Sequence, residues 1–505
     1  MRRRRIACNA SRFSDKLEAS AKRTTARHTS HDKQHSHGRT VLRMMAQEWM
    51  GAPGRSAYVI DEKPVAGWRW APIDLLMHVH ILGVGAVGTL IATHLRAAVR
   101  QGLMMRAFTP RSPMRSAVAA HLPDAATTTI TLHMREKAFA RSSPVFRELR
   151  LNHDGACMSE RGYAVELVSP IDPAQPQVLL PDRDGIAREW PGAEPYPLDS
   201  LIIMTKADAT YAAIRSLVPR ITPSTTIVLL QNGMGVLDML LERLWPQPHS
   251  RPHFVLASTT HGCYLKKPLH AVHAGFGSIH LGIVPSLRLR GLESPSGELD
   301  WHALPEDSLR QTLALLLSLP LDVHWEPIRS YQLRVLRKLA INACINPTTA
   351  LVDCKNGDLF GTPAALELFR VLCTEMSQVL EAYARDAKAA ESSNETEAAH
   401  LSSLPLADLL TQTDSEGLPL LDASLKPASL LHEVENVVRA TASNWSSMHQ
   451  DVKTRRGKTE IDFINGYITE LGRAYGIPTP ANDMMTNLIK LKAQRVTGSW
   501  NANAM

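Results

Sequence analysis

The chain has 505 residues, 44% hydrophobic, with 56 Lys and Arg against 49 Asp and Glu, a formal charge of +7 and a pI near 9.1. That length exceeds one ordinary domain and predicts two or three, and no apolar run reaches the ~18 residues a membrane span needs. The mild basic excess comes without nucleic-acid-binding motifs, which argues against a nucleic-acid partner, and six cysteines without CxxC spacing predict a reducing compartment with neither zinc site nor disulfide scaffold.

Residues 1–77 are poorly patterned and carry much of the positive charge, beginning MRRRRIACNASRF. Such an Arg- and Ser-rich, acid-poor start fits a disordered extension of a cytoplasmic protein. It equally fits a mitochondrial transit peptide, although no amphipathic helix is evident.

The next segment, HVHILGVGAVGTLIATHL, reads as a buried strand, a glycine turn and a helix. Gly83, Gly85 and Gly88 form G-x-G-x-x-G in the context that a dinucleotide fingerprint requires. Gly83 permits the tight turn, Gly85 lets the backbone approach a pyrophosphate, and Gly88 allows close packing of helix on strand. Val84, Ala86 and Val87 complete the loop, and the helix start offers free N–H groups to the anion. Residues about 100–128 look like a basic, Pro-punctuated inserted loop. The following strand, TTTITLHM, closes on Arg135, Glu136 and Lys137. At that strand end an arginine accommodates the 2′-phosphate of NADP, whereas an acid favours NAD. Arg135 and Lys137 together point to NADP(H), with Glu136 against it. The gap from Gly88 to Arg135 is longer than the usual ~20 residues.

Residues 140–198 read as Pro- and Asp-rich insertions. Two further buried strands end in Lys206 and in Gln231-Asn232-Gly233. Ligands of open α/β sheets lie beyond the carboxyl ends of strands, so Lys206 suits a carboxylate or phosphate and Asn232 a nicotinamide ribose. A simple turn explains Asn232-Gly233 equally well. A strand containing STTHG follows, and its His261 is read as structural.

In KLAINACINPTTALVDCKNGD, Lys338, Asn342 and Asn346 recur at i, i+4, i+8 and share one helix face. The residues between them are apolar or small, so the helix is expected to be buried. A buried lysine beside two carboxamides is costly unless something polar lies against it. A substrate pocket with an ammonium proton donor fits, as does a lysine that snorkels to solvent beside two satisfied core amides. Residues 328–505 show no strand pattern and read as helical, with a Ser/Glu-rich loop within 385–430. In NWSSMHQDVKTRRGKTEIDFINGYI, Ser447 and Glu460 stand out, Glu460 near a helix start where a carboxylate is favoured.

Together ILGVGAVG, MTKA, QNGMG, STTHG, KLAINACINPTTAL, CKNG, SSMHQDV and TEIDFINGYI resemble the ketopantoate reductase (2-dehydropantoate 2-reductase) family, in the family's order across about residues 78–495. The resemblance implies an α/β Rossmann-type dinucleotide-binding domain (78–327) and an all-α substrate-binding and catalytic domain (328–505), the 6-phosphogluconate dehydrogenase-like arrangement. It implies NADPH-dependent reduction of 2-dehydropantoate to (R)-pantoate in coenzyme A biosynthesis. Lys338 matches the proton donor, and Glu460 an active-site or cofactor contact. Asn342, Asn346, Asn356 and Ser447 match substrate-binding residues. Gly83–Gly88, Arg135, Lys206 and Asn232 match cofactor contacts, and Cys263 falls where a small residue's backbone meets the cofactor. Thr348 stands where a leucine is more usual, a matter of packing. A small-molecule substrate is expected, with homodimerisation left open. A reductase of another branched 2-oxo acid, or an inactive NADP(H)-binding regulator, fits the same fold, but a regulator would not need the polar row on the lysine helix.

Overall fold

The run MHVHIL forms β1 (Met77–Leu82), buried along its whole length. The computed structural model describes residues 77–497 except 109–117, 125–126, most of 137–147, 169–175, 190–193, single positions between 287 and 296, 393–409 and 414–418. The remaining strands of the first half are β2 (Thr128–Arg135), β3 (Leu149–His153), β4 (Ala156–Glu160), β5 (Ala164–Val168), β6 (Gln177–Pro181), β7 (Ala187–Glu189), β8 (Ser200–Ile203), β9 (Thr226–Leu229), β10 (His253–Thr259), β11 (Gly262–Lys267), β12 (His270–Gly275), β13 (Ile279–Ile283) and β14 (Val323–Trp325).

Ten of these form one sheet in the order β14-β13-β10-β9-β8-β1-β2-β5-β6-β7, and β11-β12-β3-β4 form a smaller one. β1 runs parallel to β2 on one side and to β8 on the other. The chain therefore leaves β1 toward β2 and later returns to its opposite flank. That reversal opens a crevice beyond the carboxyl ends of β1 and β8, where such sheets bind ligands. Helices α1 (Ala86–Phe108), α2 (Ala207–Arg215), α3 (Val236–Leu244) and α4 (Ser308–Leu317) accompany the strands. One face of the large sheet, with Val79 and Ile81, packs under α1. The other, with Leu201 and Ile227, packs under α2 and α3.

From Ile328 onward the chain is almost wholly helical: α5 (Ile328–Val352), α6 (Pro363–Ser392), α7 (Pro427–Ala440), α8 (Ser447–Lys453), α9 (Asn465–Ala474) and α10 (Pro480–Thr497). Their apolar faces share a separate core around Leu339, Phe369, Val434 and Ile468. Among the described residues no helix is long and apolar enough to cross a membrane.

Pro347 sits inside α5. Proline has no N–H, so the carbonyl four residues back loses its helical partner. That carbonyl, on Ala343, accepts instead from Asn465 Nδ2 at 3.1 Å, and Asn465 is fully buried. Asn465 Nδ2 also donates to Asn482 Oδ1, and Asn482 donates to Glu375. One asparagine thus repairs a break in the lysine helix and ties three others to it. Thr348 turns its hydroxyl back onto the Cys344 carbonyl at 2.6 Å.

Three expectations are corrected. The loop expected from residue 100 begins later, because α1 runs on to Phe108: after Gly102 the run Leu103–Ala107 holds good helix formers, and the first proline comes at 110. The segment 140–198 is not simply inserted loop. Its described part supplies β3–β7, and β5–β7 extend the main sheet. Within 385–430, α6 continues to Ser392, and β15 (Leu410–Thr413) pairs antiparallel with β16 (Pro419–Leu421), a hairpin inside the expected helical region. The basic start of the chain lies outside the described residues, as does Lys137.

Candidate active site

The glycine turn lies at the β1 end of the crevice. Gly83 has φ +106°, and a Cβ there would stand 2.5 Å from the Thr205 nitrogen. A Cβ on Gly88 would stand 2.0 Å from the Gly83 carbonyl oxygen. Both must be glycine for the protein's own packing. Gly85 differs: a Cβ there would meet nothing within 4 Å. Packing within the chain does not require glycine there, and the bare backbone leaves room for a pyrophosphate. Val84 and Val87 turn their side chains to the sheet core, and Ala86 opens α1. The loop therefore fits a dinucleotide. Arg135 stands exposed at the carboxyl end of β2, with Glu136 exposed beside it.

The carboxyl end of β10 receives Lys338 from α5. Its ammonium donates to Ser258 Oγ at 3.1 Å and to the Thr259 carbonyl at 2.9 Å. Burial pulls this lysine down to about 8, partly offset by the charge of Glu460. Lys338 and Asn342 line a cavity of ≈ 70 Å³ together with Asn232, Leu256, Ser258 and Tyr331. The snorkelling alternative is therefore set aside, since the ammonium points to the sheet and not outward.

Lys206 caps the start of α2. It donates to two carboxylates, Asp451 Oδ2 at 3.0 Å and Glu460 Oε2 at 3.1 Å. Burial opposes its charge, and those two carboxylates more than compensate, holding it above the usual lysine value. Glu460 is buried just ahead of a 3-10 turn, Ile461–Phe463. Asn232 and Gly233 follow β9, and the Met234 N–H donates to the Phe463 carbonyl at 2.8 Å.

Ser446, the residue before Ser447, caps α8, accepts from the Thr349 hydroxyl at 2.7 Å and donates to the Asn346 carbonyl at 3.5 Å, which ties the head of α8 to the Asn346 turn of α5. Asn356 is placed differently. Its amide donates to Thr441 Oγ1 at 2.9 Å and its N–H to the Asn444 carbonyl at 3.0 Å. It braces the turn between α7 and α8. Cys263 lies in the smaller sheet, away from the cavity lining, and burial pushes its thiol up to about 12. His261 is buried between His273 and the Leu321 carbonyl, a structural role. Sequence reasoning missed Ser258, Thr259, Asp451 and Asn465. All four lie inside motifs it had singled out, but their partners are distant in sequence.

Among the described residues one cluster elsewhere has ligand-like geometry: His80, His133 and Glu166, all buried on β1, β2 and β5. Both carboxylate oxygens of Glu166 already accept from Arg220, and His80 Nε2 pairs with the Pro197 carbonyl. A dication would add to the guanidinium charge in a dry core, so the cluster is a buried polar network that closes the sheet.

A sheet with this switch point, a bare glycine loop and a desolvated lysine at its rim define an oxidoreductase of the dinucleotide-dependent class. Residues 118–286 match the family described as ketopantoate reductase PanE/ApbA, and 330–493 its C-terminal counterpart. The 2-dehydropantoate 2-reductase of Vibrio cholerae serotype O1 is 33% identical over 303 residues, covering 60% of this chain and 79% of that protein. The chain belongs to the ketopantoate reductase family. The probable 2-dehydropantoate 2-reductase of Schizosaccharomyces pombe is 28% identical over 298 residues, 58% of this chain and 73% of that one. Among solved structures, D-mandelate dehydrogenase with NADH and anilino(oxo)acetate shares the fold at TM-score 0.51 and 18% identity, over 83% of this chain and 99% of that one. A PanE/ApbA family ketopantoate reductase from Ralstonia eutropha does so at 0.50 and 19%, with the same coverage.

Proposed function

We propose that the protein reduces 2-dehydropantoate to (R)-pantoate with NADPH, a step toward pantothenate and coenzyme A. The carrying observation is the Lys338 ammonium, desolvated to about 8 and aimed into the cavity that Asn232 and Asn342 share. A lysine poised there is protonated at neutral pH and gives up its proton more readily than an ordinary one. The cofactor, when bound, supplies the hydride to the ketone carbon. Lys338 stabilises the charge that develops on the carbonyl oxygen and donates the proton to it. Positioned acid catalysis of this kind contributes ~10²–10⁴-fold. Asn342 and Asn346 on α5, and Ser447 at the head of α8, orient the substrate's hydroxyl and carboxylate. Asn356 supports them by bracing the turn before α8. The bare backbone at Gly85 suits the pyrophosphate and Arg135 the 2′-phosphate, while Asn232 is set for the nicotinamide ribose.

The test is the loss of NADPH absorbance on adding 2-dehydropantoate, with 2-oxoisovalerate and NADH as comparisons and Lys338→Ala as control. Turnover with NADPH and 2-dehydropantoate, lost in Lys338→Ala while NADPH still binds, supports the proposal. Preference for 2-oxoisovalerate overturns the substrate, and binding of NADPH without turnover of either overturns the reaction.

A further inference from the structure

The cavity that holds Lys338 is lined by one cation and one anion. The anion is Asp238, in the first turn of α3. It is exposed at the cavity wall, and among the described residues its carboxylate accepts a hydrogen bond only from its own backbone N–H. Glu460, by contrast, is taken up by Lys206. The helix dipole favours an acid in any first turn. That accounts for an acid on α3, but not for one on the wall of a pocket that has to receive an anion. Leu256, Val335 and the Tyr331 ring give the same cavity its apolar surface.

We propose that Asp238 is a specificity-determining residue of this pocket, the acceptor for a hydroxyl at the end of the substrate away from its carboxylate. This rests on the reading of the protein as a reductase of a 2-oxo acid. Every 2-oxo acid brings a carboxylate, and the charge of Asp238 repels it. A substrate with a hydroxyl at its other end offsets that cost through a charge-assisted hydrogen bond. One that ends in hydrocarbon does not. 2-Dehydropantoate and 2-oxoisovalerate differ by that single hydroxymethyl group. Specificity is a difference of affinities, and a charge that only one of two substrates can satisfy creates it. The same repulsion sets the direction in which the substrate lies. Its carboxylate and ketone go to Lys338 and Asn342, its hydroxyl to Asp238, and its dimethyl carbon to Leu256 and Val335.

The test is kcat/KM for 2-dehydropantoate and for 2-oxoisovalerate, at saturating NADPH, in the wild type, Asp238→Ala and Asp238→Asn. The first value divided by the second is expected to fall roughly tenfold or more in Asp238→Ala. It should fall less in Asp238→Asn, which keeps an acceptor without its charge. A merely structural Asp238 would lower both values by one factor, so an unchanged ratio overturns the proposal. If Asp238→Ala does not fold, the isosteric Asp238→Asn decides alone. Calorimetric titration of the NADP-bound protein with pantoate and with 2-hydroxyisovalerate makes the same comparison without turnover. A wild-type protein that reduces neither 2-oxo acid overturns the proposed function, and the titration then decides the role of Asp238. A preference for pantoate that Asp238→Ala loses upholds it, and a wild type without that preference overturns it.

Discussion

Gly233 and Phe463 touch across the crevice: a Cβ on Gly233 would stand 2.5 Å from the Phe463 carbonyl oxygen, and the glycine holds φ +88°. Close approach and left-handed backbone each require glycine here. Gly233→Ala is expected to push away the loop that carries Asn232. Stability should fall by ~1–3 kcal/mol and kcat should fall with it. Thermal unfolding and steady-state kinetics on one preparation check this, and wild-type values of both would show the contact to be dispensable.

The glycine loop separates packing from binding. Gly88→Ala places a methyl 2.0 Å from a carbonyl oxygen, so it should lower stability by ~2 kcal/mol or more. Gly85→Ala meets no protein atom, so it should keep its Tm while dinucleotide affinity drops roughly tenfold or more, a loss of ~1.4 kcal/mol or more. Fluorescence titration with NADPH and a melting curve distinguish the two variants. Equal loss of Tm in both would remove the argument that Gly85 faces a ligand.

Lys338 gives a pH-dependent stability. Its value when folded, about 8, lies below the ordinary 10.5. Below about pH 8 the folded state holds the ammonium at a cost, which is relieved as pH rises between 8 and 10.5 and the buried amine goes neutral. Lys338→Met should therefore stabilise the protein by up to ~3 kcal/mol at neutral pH, with a gain that shrinks above pH 8. Chemical denaturation at pH 7 and pH 10 measures it. A gain independent of pH would mean the methionine acts by packing alone.

Asn465 should be structural. Asn465→Ala leaves the Ala343 carbonyl, freed by Pro347, without a partner in a dry core. A loss of ~1–3 kcal/mol is expected. Pro347→Ala in the same chain should recover part of it, because the helix then supplies its own N–H to that carbonyl. A double-mutant cycle on unfolding free energies reads the coupling, and strict additivity would break the link.

Local features of this molecule were legible in the sequence. The glycine turn depends on φ and on contact within a few residues, and the lysine row on helical period alone. Both stand where the pattern placed them. What joins them was not legible, because it is non-local. Lys338 finds Ser258 80 positions away, Lys206 finds Asp451 and Glu460 245 and 254 positions on, and Asn465 reaches back 122 to Ala343. No periodicity encodes those separations. Strand β8 illustrates the limit. Its apolar run pointed to Lys206 at the strand end, but the strand stops at Ile203, and the carboxylates that engage the lysine come from a distant part of the chain. Asn356 likewise falls in a family motif, but it braces a turn that the motif does not reveal.

The anchoring of Lys338 on β10 carries one last consequence. The lysine is borne by the helical half, but its ammonium is held by two oxygens at the rim of the sheet. Parting α5 from β10 would strip away those acceptors and admit water in a single movement. The lowered basicity of Lys338 therefore depends on α5 staying packed against β10. The protonation of this one side chain is thus a gauge of whether the helix that carries it is seated on the sheet.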